Sequence, residues 1–271
     1  MMSGRMMHVL HVLITAFVIA LIILPFIPLL LSSVSAGWRW PEVLPHSYSL
    51  RSWEYVFSPN SGTLEAIWTS VYIAMFVTVI NIVIAVPAAD ALARREFKGK
   101  RIVEGVLYAP MIVPAFVPVM GLYMTFIKLG LTESVYGVIL SHLSPTLPYM
   151  IRALIVSFGT LGFQWEEQGR MLGAKRFARF RHIVLPHILP GIAAGASLSI
   201  LVSLSQYLIT FLVGGGQVMT LPLLLFPFIS GGDPAVGSAY TLLFAGVSVI
   251  LLWVMDLGLK TYYRKQMPLH W

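Results

Sequence analysis

Residues 164–191 read QWEEQGRMLGAKRFARFRHIVLPHILPG. No other stretch of the chain carries charge at this density: Glu166, Glu167, Arg170, Lys175, Arg176, Arg179 and Arg181 fall within it. Apolar runs flank it on both sides, each long enough to cross a bilayer core of ~30 Å, which takes roughly 20 residues of helix. A charged, helix-prone segment cannot stay in hydrocarbon. It therefore lies in water at a membrane face, and the spans around it hold it there and move it.

Composition supports this reading. Of 271 residues, 58% are hydrophobic and 11% charged, against roughly 25% charged in a soluble domain. The deficit identifies an integral membrane protein, and its apolar runs, each of helix-spanning length, make the expected class all-α. With no cysteine, disulfides and thiolate metal sites are excluded. The 17 prolines and 22 glycines fit membrane helices, where neighbouring helices re-satisfy freed backbone groups. A net charge of +7 does not indicate nucleic acid, because the bases sit in short loops between apolar runs.

Outward from the charged stretch, six apolar runs cover residues 8–31, 64–91, 102–127, 134–161, 188–213 and 235–259. The first follows Arg5, is too long for a signal-peptide core and is read as a retained helix, with Pro25 and Pro28 near its outer end. Residues 32–62 hold Trp38, Trp40 and Trp53 and form an interfacial loop with a short amphipathic helix near 52–57; it caps the bundle or docks a partner. The third run contains Pro110, Pro114 and Pro118, four residues apart. This spacing gives either a kinked packing face or free carbonyls pointing into a cavity. Pro145 and Pro148 interrupt the fourth run, which also carries Arg152. That base attracts an anionic substrate, or it snorkels or pairs with an acid.

Basic residues set the orientation. Arg5, the segment from Arg94 to Arg101, the charged stretch and the tail (Lys260, Arg264, Lys265) together hold fourteen bases, against Arg39, Arg51 and Lys128 on the other side. By the positive-inside rule both termini and the charged stretch are cytoplasmic. The expected organisation is a first helix and external loop (1–63), a membrane core (64–260) with a cytoplasmic loop at 164–187, and a cytoplasmic tail (261–271).

The loop has a local logic of its own. Residues 164–172 form a short helix with Glu166 and Glu167 at its positive amino end, and Glu166 can pair with Arg170 one turn on. Gly173 permits a left-handed turn. Residues 175–182 then form a second short helix with Phe177 and Phe180 facing inward, closed by Pro186 before the next span. The product is a compact knob. The fifth run is unusually polar, with Ser203, Ser205, Gln206 and Thr210 beside Tyr207. Within a membrane such residues face the protein interior or a water-filled path, so Gln206 and Tyr207 line a pathway or hydrogen-bond between helices. Asp90 and Asp256 lie near helix ends, solvated or paired. His142 and His182 lack a second histidine or carboxylate at ligand spacing, so no metal site is expected. Gly214–Gly216 follows no strand and leads to no Lys-Ser/Thr, so no phosphate-binding loop is expected either.

Glu167-Gln168-Gly169, three residues, Gly173, nine residues, then Ile183-x-Leu185-Pro186 resembles the EAA loop of ABC importer permeases, E-A-A-x(3)-G-x(9)-I-x-L-P. Gln168 and Gly169 replace the two alanines, and Gly169 lowers helix propensity by roughly 1 kcal/mol relative to alanine. The six-run layout and the Thr220-Leu221-Pro222 segment extend the resemblance over nearly the whole chain, within which the polyamine-type permease group is most similar. The resemblance implies a type I (MetI-like) permease fold with six transmembrane helices in a bacterial inner membrane, and a transport subunit rather than an enzyme. It implies two ATPase subunits that bind ATP and magnesium, a second permease or a copy of this chain, an external solute-binding protein, no cofactor in this chain and no nucleic acid. It places ATPase coupling on Glu166, Glu167, Gln168, Gly169, Arg170, Leu172, Gly173, Ala174, Lys175, Phe177, Leu185 and Pro186. Pro110, Pro114, Tyr123, Ser205, Gln206, Tyr207 and Thr210 are the candidates for the translocation path. Polyamine permeases often carry acids where Ser205 and Gln206 stand, so iron, thiamine, phosphonate and opine solutes stay open. An ion-gradient-driven carrier is the alternative class; it needs a mid-membrane acid.

Overall fold

The structure, a computed structural model, describes residues 4–38, 41–114 and 116–266. Arg39, Trp40 and the last five residues of the tail lie outside the described residues. Among the described residues regular structure is helical, apart from one isolated bridge between Ser35 and Tyr48. In chain order the helices are α1 (Gly4–Ile23), α2 (Phe26–Ser33), α3 (Arg51–Val56), α4 (Thr63–Arg94), α5 (Lys100–Ile112), α6 (Phe116–Leu129) and α7 (Val135–Leu161). Then follow α8 (Gln164–Met171), α9 (Arg176–Arg179), a π turn (Phe180–Val184), α10 (Leu185–Leu204), α11 (Leu208–Gly214), α12 (Leu221–Ser230) and α13 (Pro234–Gln266).

Among the described residues five helical segments are long and apolar enough to cross a membrane: Leu10–Ser33, Thr63–Arg94, Val135–Leu161, Arg176–Leu204 and Pro234–Gly258. The pair α5 and α6, bent by 104°, makes a sixth when taken as one span. The expected third run is thus two helices rather than one kinked helix. The break has a local cause. Val113 precedes Pro114, and a residue before proline is driven out of the helical region; Val113 sits at ψ 133. By contrast, α7 runs unbroken through Pro145 and Pro148, where an interruption was expected. The fifth run also departs from expectation, because α10 stops at Leu204 and the chain resumes as α11 only at Leu208.

The chain forms two compact units. One comprises Met1–Leu64 with Leu224–Gly246. Its core is Val56, Val236, Ala239 and Tyr240, with Trp53 and Phe228 packed against them. The Tyr240 hydroxyl lies 2.9 Å from Thr63 Oγ1, so the buried phenol is satisfied. Asp233 caps α13, accepting from the Ala235 amide at 3.1 Å, and pairs with Arg51, the first residue of α3.

The second unit, Glu65–Leu223 with Val247–Trp271, holds the site. Its most extensive helix contact is between α7 and α10. Glycine makes this approach possible. A Cβ on Gly195 would lie 2.5 Å from Met150 Sδ and 3.0 Å from its Cα. Met150, Ile151, Leu154 and Phe158 of α7 pack with Ile188, Leu189 and Ile192 of α10 and with Ala85 and Ala89 of α4. A second cluster joins Ile73 and Val77 of α4 to Val138 and Ile139 of α7 and to Ile209 and Val213 of α11.

Gly195→Val is expected to destabilise the unit by about 1–3 kcal/mol through overpacking. Gly105→Ala, where an added Cβ meets nothing within 4 Å, serves as the near-neutral control. Thermal unfolding of the detergent-solubilised protein, followed by size exclusion, checks the contrast.

Candidate functional site: a charged knob and a broken helix

The knob is built as its turn chemistry dictates. α8 ends in a left-handed glycine, Gly173 at φ +81. The Ala174 amide donates to Gly169 O at 2.9 Å and the Gly173 amide to Arg170 O at 3.0 Å. These bonds satisfy the last carbonyls of the helix in a Schellman arrangement. Lys175 is extended at the entry to α9. Gly169 is buried where α8 crosses the π turn, and a Cβ there would meet Ile183 Cδ1 at 2.7 Å. Glycine in place of the expected alanine therefore permits close packing of the two arms instead of loosening them. The Arg179 guanidinium reaches back to the Glu166 carbonyl at 3.5 Å, which further joins the arms.

Three expectations for the knob need correction. Glu166 does not pair with Arg170; its carboxylate accepts from Arg94 Nη1 at 2.5 Å. Phe177 does not face inward but is 72% exposed, and Phe180 is also exposed. Pro186 does not close the second arm. It stands directly after the π turn, and the helix continues from Arg176 through that turn and past Pro186 to Leu204, so the proline removes one backbone donor within the helix without ending it. The outer face of the knob thus presents Glu167, Gln168, Arg170, Met171, Leu172 and Phe177 to solvent, with Leu172 88% exposed. Ala174 and Leu185 are half-buried, and Pro186 lines a cavity of about 580 Å³ at the root of the knob with Trp165 and His187.

The second feature is the gap between α10 and α11. Ser205 Oγ and Gln206 Nε2 both donate to Val202 O, at 2.9 and 3.1 Å. Side chains here occupy a carbonyl that a continued helix would use, the competition by which such residues end helices. His142 of α7 lies opposite the gap. Its Nδ1 is 2.9 Å from Ser203 Oγ on one side and its Nε2 is 3.0 Å from Thr210 Oγ1 on the other. One turn further along α7, Thr146 Oγ1 donates to His142 O at 2.7 Å and accepts from Asn81 Nδ2 at 2.7 Å. Asn81 also reaches Ser199 Oγ at 2.6 Å. A buried polar network thus joins α4, α7, α10 and α11.

Gln206 sits at the edge of two hollows. One is a cavity of about 80 Å³ lined by Pro110, Pro118, Ser144 and Pro145. The other is a narrow polar crevice lined by Ser70, His142, Ser203, Thr210 and Thr220. The structure brings Pro110 and Gln206 together on the first, and Gln206 and Thr210 on the second. The other candidates lie elsewhere. Pro114 is in the bend between α5 and α6, and Tyr123 packs on the apolar cluster of Ile73 and Val119. Tyr207 stacks on Phe211 at 5.8 Å, and Ser205 is exposed. Arg152 lies over the Tyr108 ring at 5.6 Å, and Asp90 pairs with Arg94 at 3.2 Å. His142, Asn81, Thr146 and Ser199 were not among the sequence candidates. Their common signal is polarity inside an apolar run. No group of three metal-ligating side chains occurs among the described residues.

Comparison with known proteins places both features. The profile of the family "Binding-protein-dependent transport system inner membrane component" matches residues 81–260, which include the knob, the polar network, the first hollow and the lining of the second apart from Ser70 and Ile73. The spermidine/putrescine transport system permease protein PotC of Escherichia coli (strain K12) is 28% identical over 228 residues, 83% of this chain and 84% of that one. The molybdenum transport system permease protein ModB of Haemophilus influenzae is 28% identical over 223 residues, 75% of this chain and 94% of that one. Among solved structures, a bacterial ABC transporter involved in import of the acidic polysaccharide alginate has a chain that matches with a TM-score of 0.71 at 16% identity, covering 97% of this chain and 98% of that one. That likeness is one of fold. The loop spacing, the bundle and the family match agree on one conclusion: this chain belongs to the binding-protein-dependent transport system inner membrane components, the transmembrane permease subunits of ABC importers, and is a transport subunit and not an enzyme.

Proposed function

We propose that residues 164–187 are the docking element for an ATPase subunit and that the α10–α11 gap belongs to the translocation path. The observation that carries the first assignment is the outer face of the knob. Leu172 and Phe177 are large, apolar and exposed on a rigid two-arm support, flanked by Glu167, Gln168 and Arg170. Exposed aliphatic and aromatic side chains ringed by polar ones fit a protein groove. The assembly we infer has two ATPase subunits, which bind ATP and magnesium, a second permease or a second copy of this chain, and an external solute-binding protein. The base distribution favours both termini and the knob on the cytoplasmic side. Residues 64–260 then form the permease core, with 1–63 as an outer anchor and loop and 261–271 as a tail.

Closure of the ATPase dimer on ATP draws the knobs together. The bundle then passes from inward- to outward-facing, the state to which a loaded binding protein delivers. Nucleotide thus acts as a ligand with different affinity for two conformations. The path takes a small solute, and polyamine is the first class to assay, in view of the relatives named for spermidine and putrescine transport. The groups around the gap are hydroxyls, an amide and an imidazole. Selection of a polycation therefore rests on the binding protein more than on this path.

Glu167→Lys and Gly173→Asp are expected to insert normally and lose both uptake and permease-dependent stimulation of ATP hydrolysis. Gly173→Asp acts through its left-handed backbone, which costs a non-glycine residue about 1–2 kcal/mol. Normal coupled uptake in both variants overturns the docking assignment. Gln206→Leu is expected to slow spermidine uptake about tenfold, the rate equivalent of one lost hydrogen bond of about 1–3 kcal/mol, while leaving co-purification of the ATPase intact. An unchanged uptake rate removes Gln206 from the path.

A further inference from the structure

Arg94 is the last residue of α4, and its side chain is only 5% exposed. Arginine is almost never buried to this extent unless paired. Its partners come from three parts of the chain. Nη1 donates to Glu166 Oε1 in the first turn of α8, at 2.5 Å, and Nε lies 3.2 Å from Asp90 Oδ1 one turn back on α4. The guanidinium also lies over the ring of Phe158 on α7, at 4.9 Å, and that of Phe163 just before α8, at 5.3 Å. Each contact suits its place. A cation is favoured at the carboxyl end of α4 and a carboxylate at the amino end of α8, and a planar guanidinium can hold an ion pair and stack on rings together, which an ammonium cannot do in the same geometry.

The covalent link between α7 and α8 is short and pliable, consisting of Gly162 and Phe163, with Gly162 at φ +64. Without another attachment α8 can pivot there. The other end of the Arg94–Glu166 pair is α4, a single 32-residue helix. Asn81 lies 13 positions before Arg94 on α4, about 20 Å along the helix axis at 1.5 Å per residue, in the polar network with Thr146 and Ser199.

We propose that Arg94 is a positioning residue that clamps α8 to α4, so that displacement of the knob is passed along α4 to the polar network beside the helix gap instead of being absorbed at Gly162. The proposal rests on reading residues 164–187 as the ATPase-coupling element. It assigns to Arg94, Glu166 and Asp90 a role separate from docking. The docking face lies on the outside of the knob, and this triad lies on its inside.

The chain has no cysteine, so two introduced cysteines are its only thiol labelling sites, and it is labelled before assembly with the ATPase. Spin labels at Gln164→Cys on α8 and Glu96→Cys just beyond α4 report their separation in the full permease–ATPase complex. The separation is measured without nucleotide and in the ATP–vanadate state, and neither measurement needs a substrate. In the parent the two states are expected to give the same narrow distance distribution. Arg94→Met is expected to broaden it and make it nucleotide-dependent while the ATPase still co-purifies, and spermidine uptake falls about tenfold at retained ATP hydrolysis, the loss expected for about 1.4 kcal/mol. A parent distance that shifts with nucleotide, or an Arg94→Met distribution matching the parent, overturns the clamp. If Arg94→Met does not yield a monodisperse complex, Glu166→Gln decides by the same distance readout, since it leaves Arg94 its contacts with Asp90 and both rings. Failure of the docking reading is recognised separately, by coupled uptake surviving Glu167→Lys and Gly173→Asp. Those two losing uptake while Arg94→Met and Glu166→Gln keep both coupling and the parent distance overturns the clamp alone.

Discussion

A peptide group left without a hydrogen-bond partner in hydrocarbon costs several kcal/mol, and the arrangement of this chain follows from how it meets that constraint. Regular helix meets it for most of the spans. Helix ends after Ile112 and again at 205–207, and at the latter other groups take over. At the second break Ser205 and Gln206 cover the Val202 carbonyl, and His142 holds Ser203 and Thr210 from the neighbouring helix. An irregular backbone inside a membrane bundle is tolerated only when buried in protein or lining a cavity. Here Gln206 borders two hollows. The break and the hollows are therefore one feature seen from two sides.

A separate cost, that of desolvating its charged side chains, keeps the 164–187 segment out of the membrane, and its turn chemistry folds it compactly. Left-handed Gly173 folds α8 back on the second arm, and Gly169 lets the arms close on Ile183. A rigid knob is useful only if its movement reaches the spans. The continuous helix from Arg176 to Leu204 supplies one route, and the Arg94–Glu166 ion pair supplies another into α4. Both routes converge on the polar network, through Ser199 of α10 and Asn81 of α4. The fold thus joins the proposed docking face to the proposed path by two stiff elements.

Much of this was legible in the sequence, and the parts that were not share a physical cause. The apolar runs, the knob and the turn at Gly173 are local features, set by composition and by the tolerance of glycine for positive φ. The errors arose where a local rule met a distant partner. Spacing of four residues favoured Arg170 for Glu166, but Arg94, 72 positions away, offered a buried site framed by two aromatic rings. Pro145 and Pro148 suggested an interruption, yet α7 continues, packed along α10 through the glycine contacts. His142 has no metal-ligand partner nearby in the chain, whereas its hydrogen-bond partners Ser203 and Thr210 lie 61 and 68 positions on. The gap at 205–207 carries neither proline nor glycine; its signal was the polar cluster, which reads equally well as a pathway or as a helix stop and here ends α10 beside two hollows.

The central claim is that residues 164–187 meet an ATPase. A photo-crosslinking amino acid at Leu172, the most exposed apolar position on the knob, tests it in intact membranes without knowledge of the solute. The account predicts one dominant adduct, with the ATPase chain, abolished by Gly173→Asp. Adducts only with lipid, or with another membrane subunit, would contradict it.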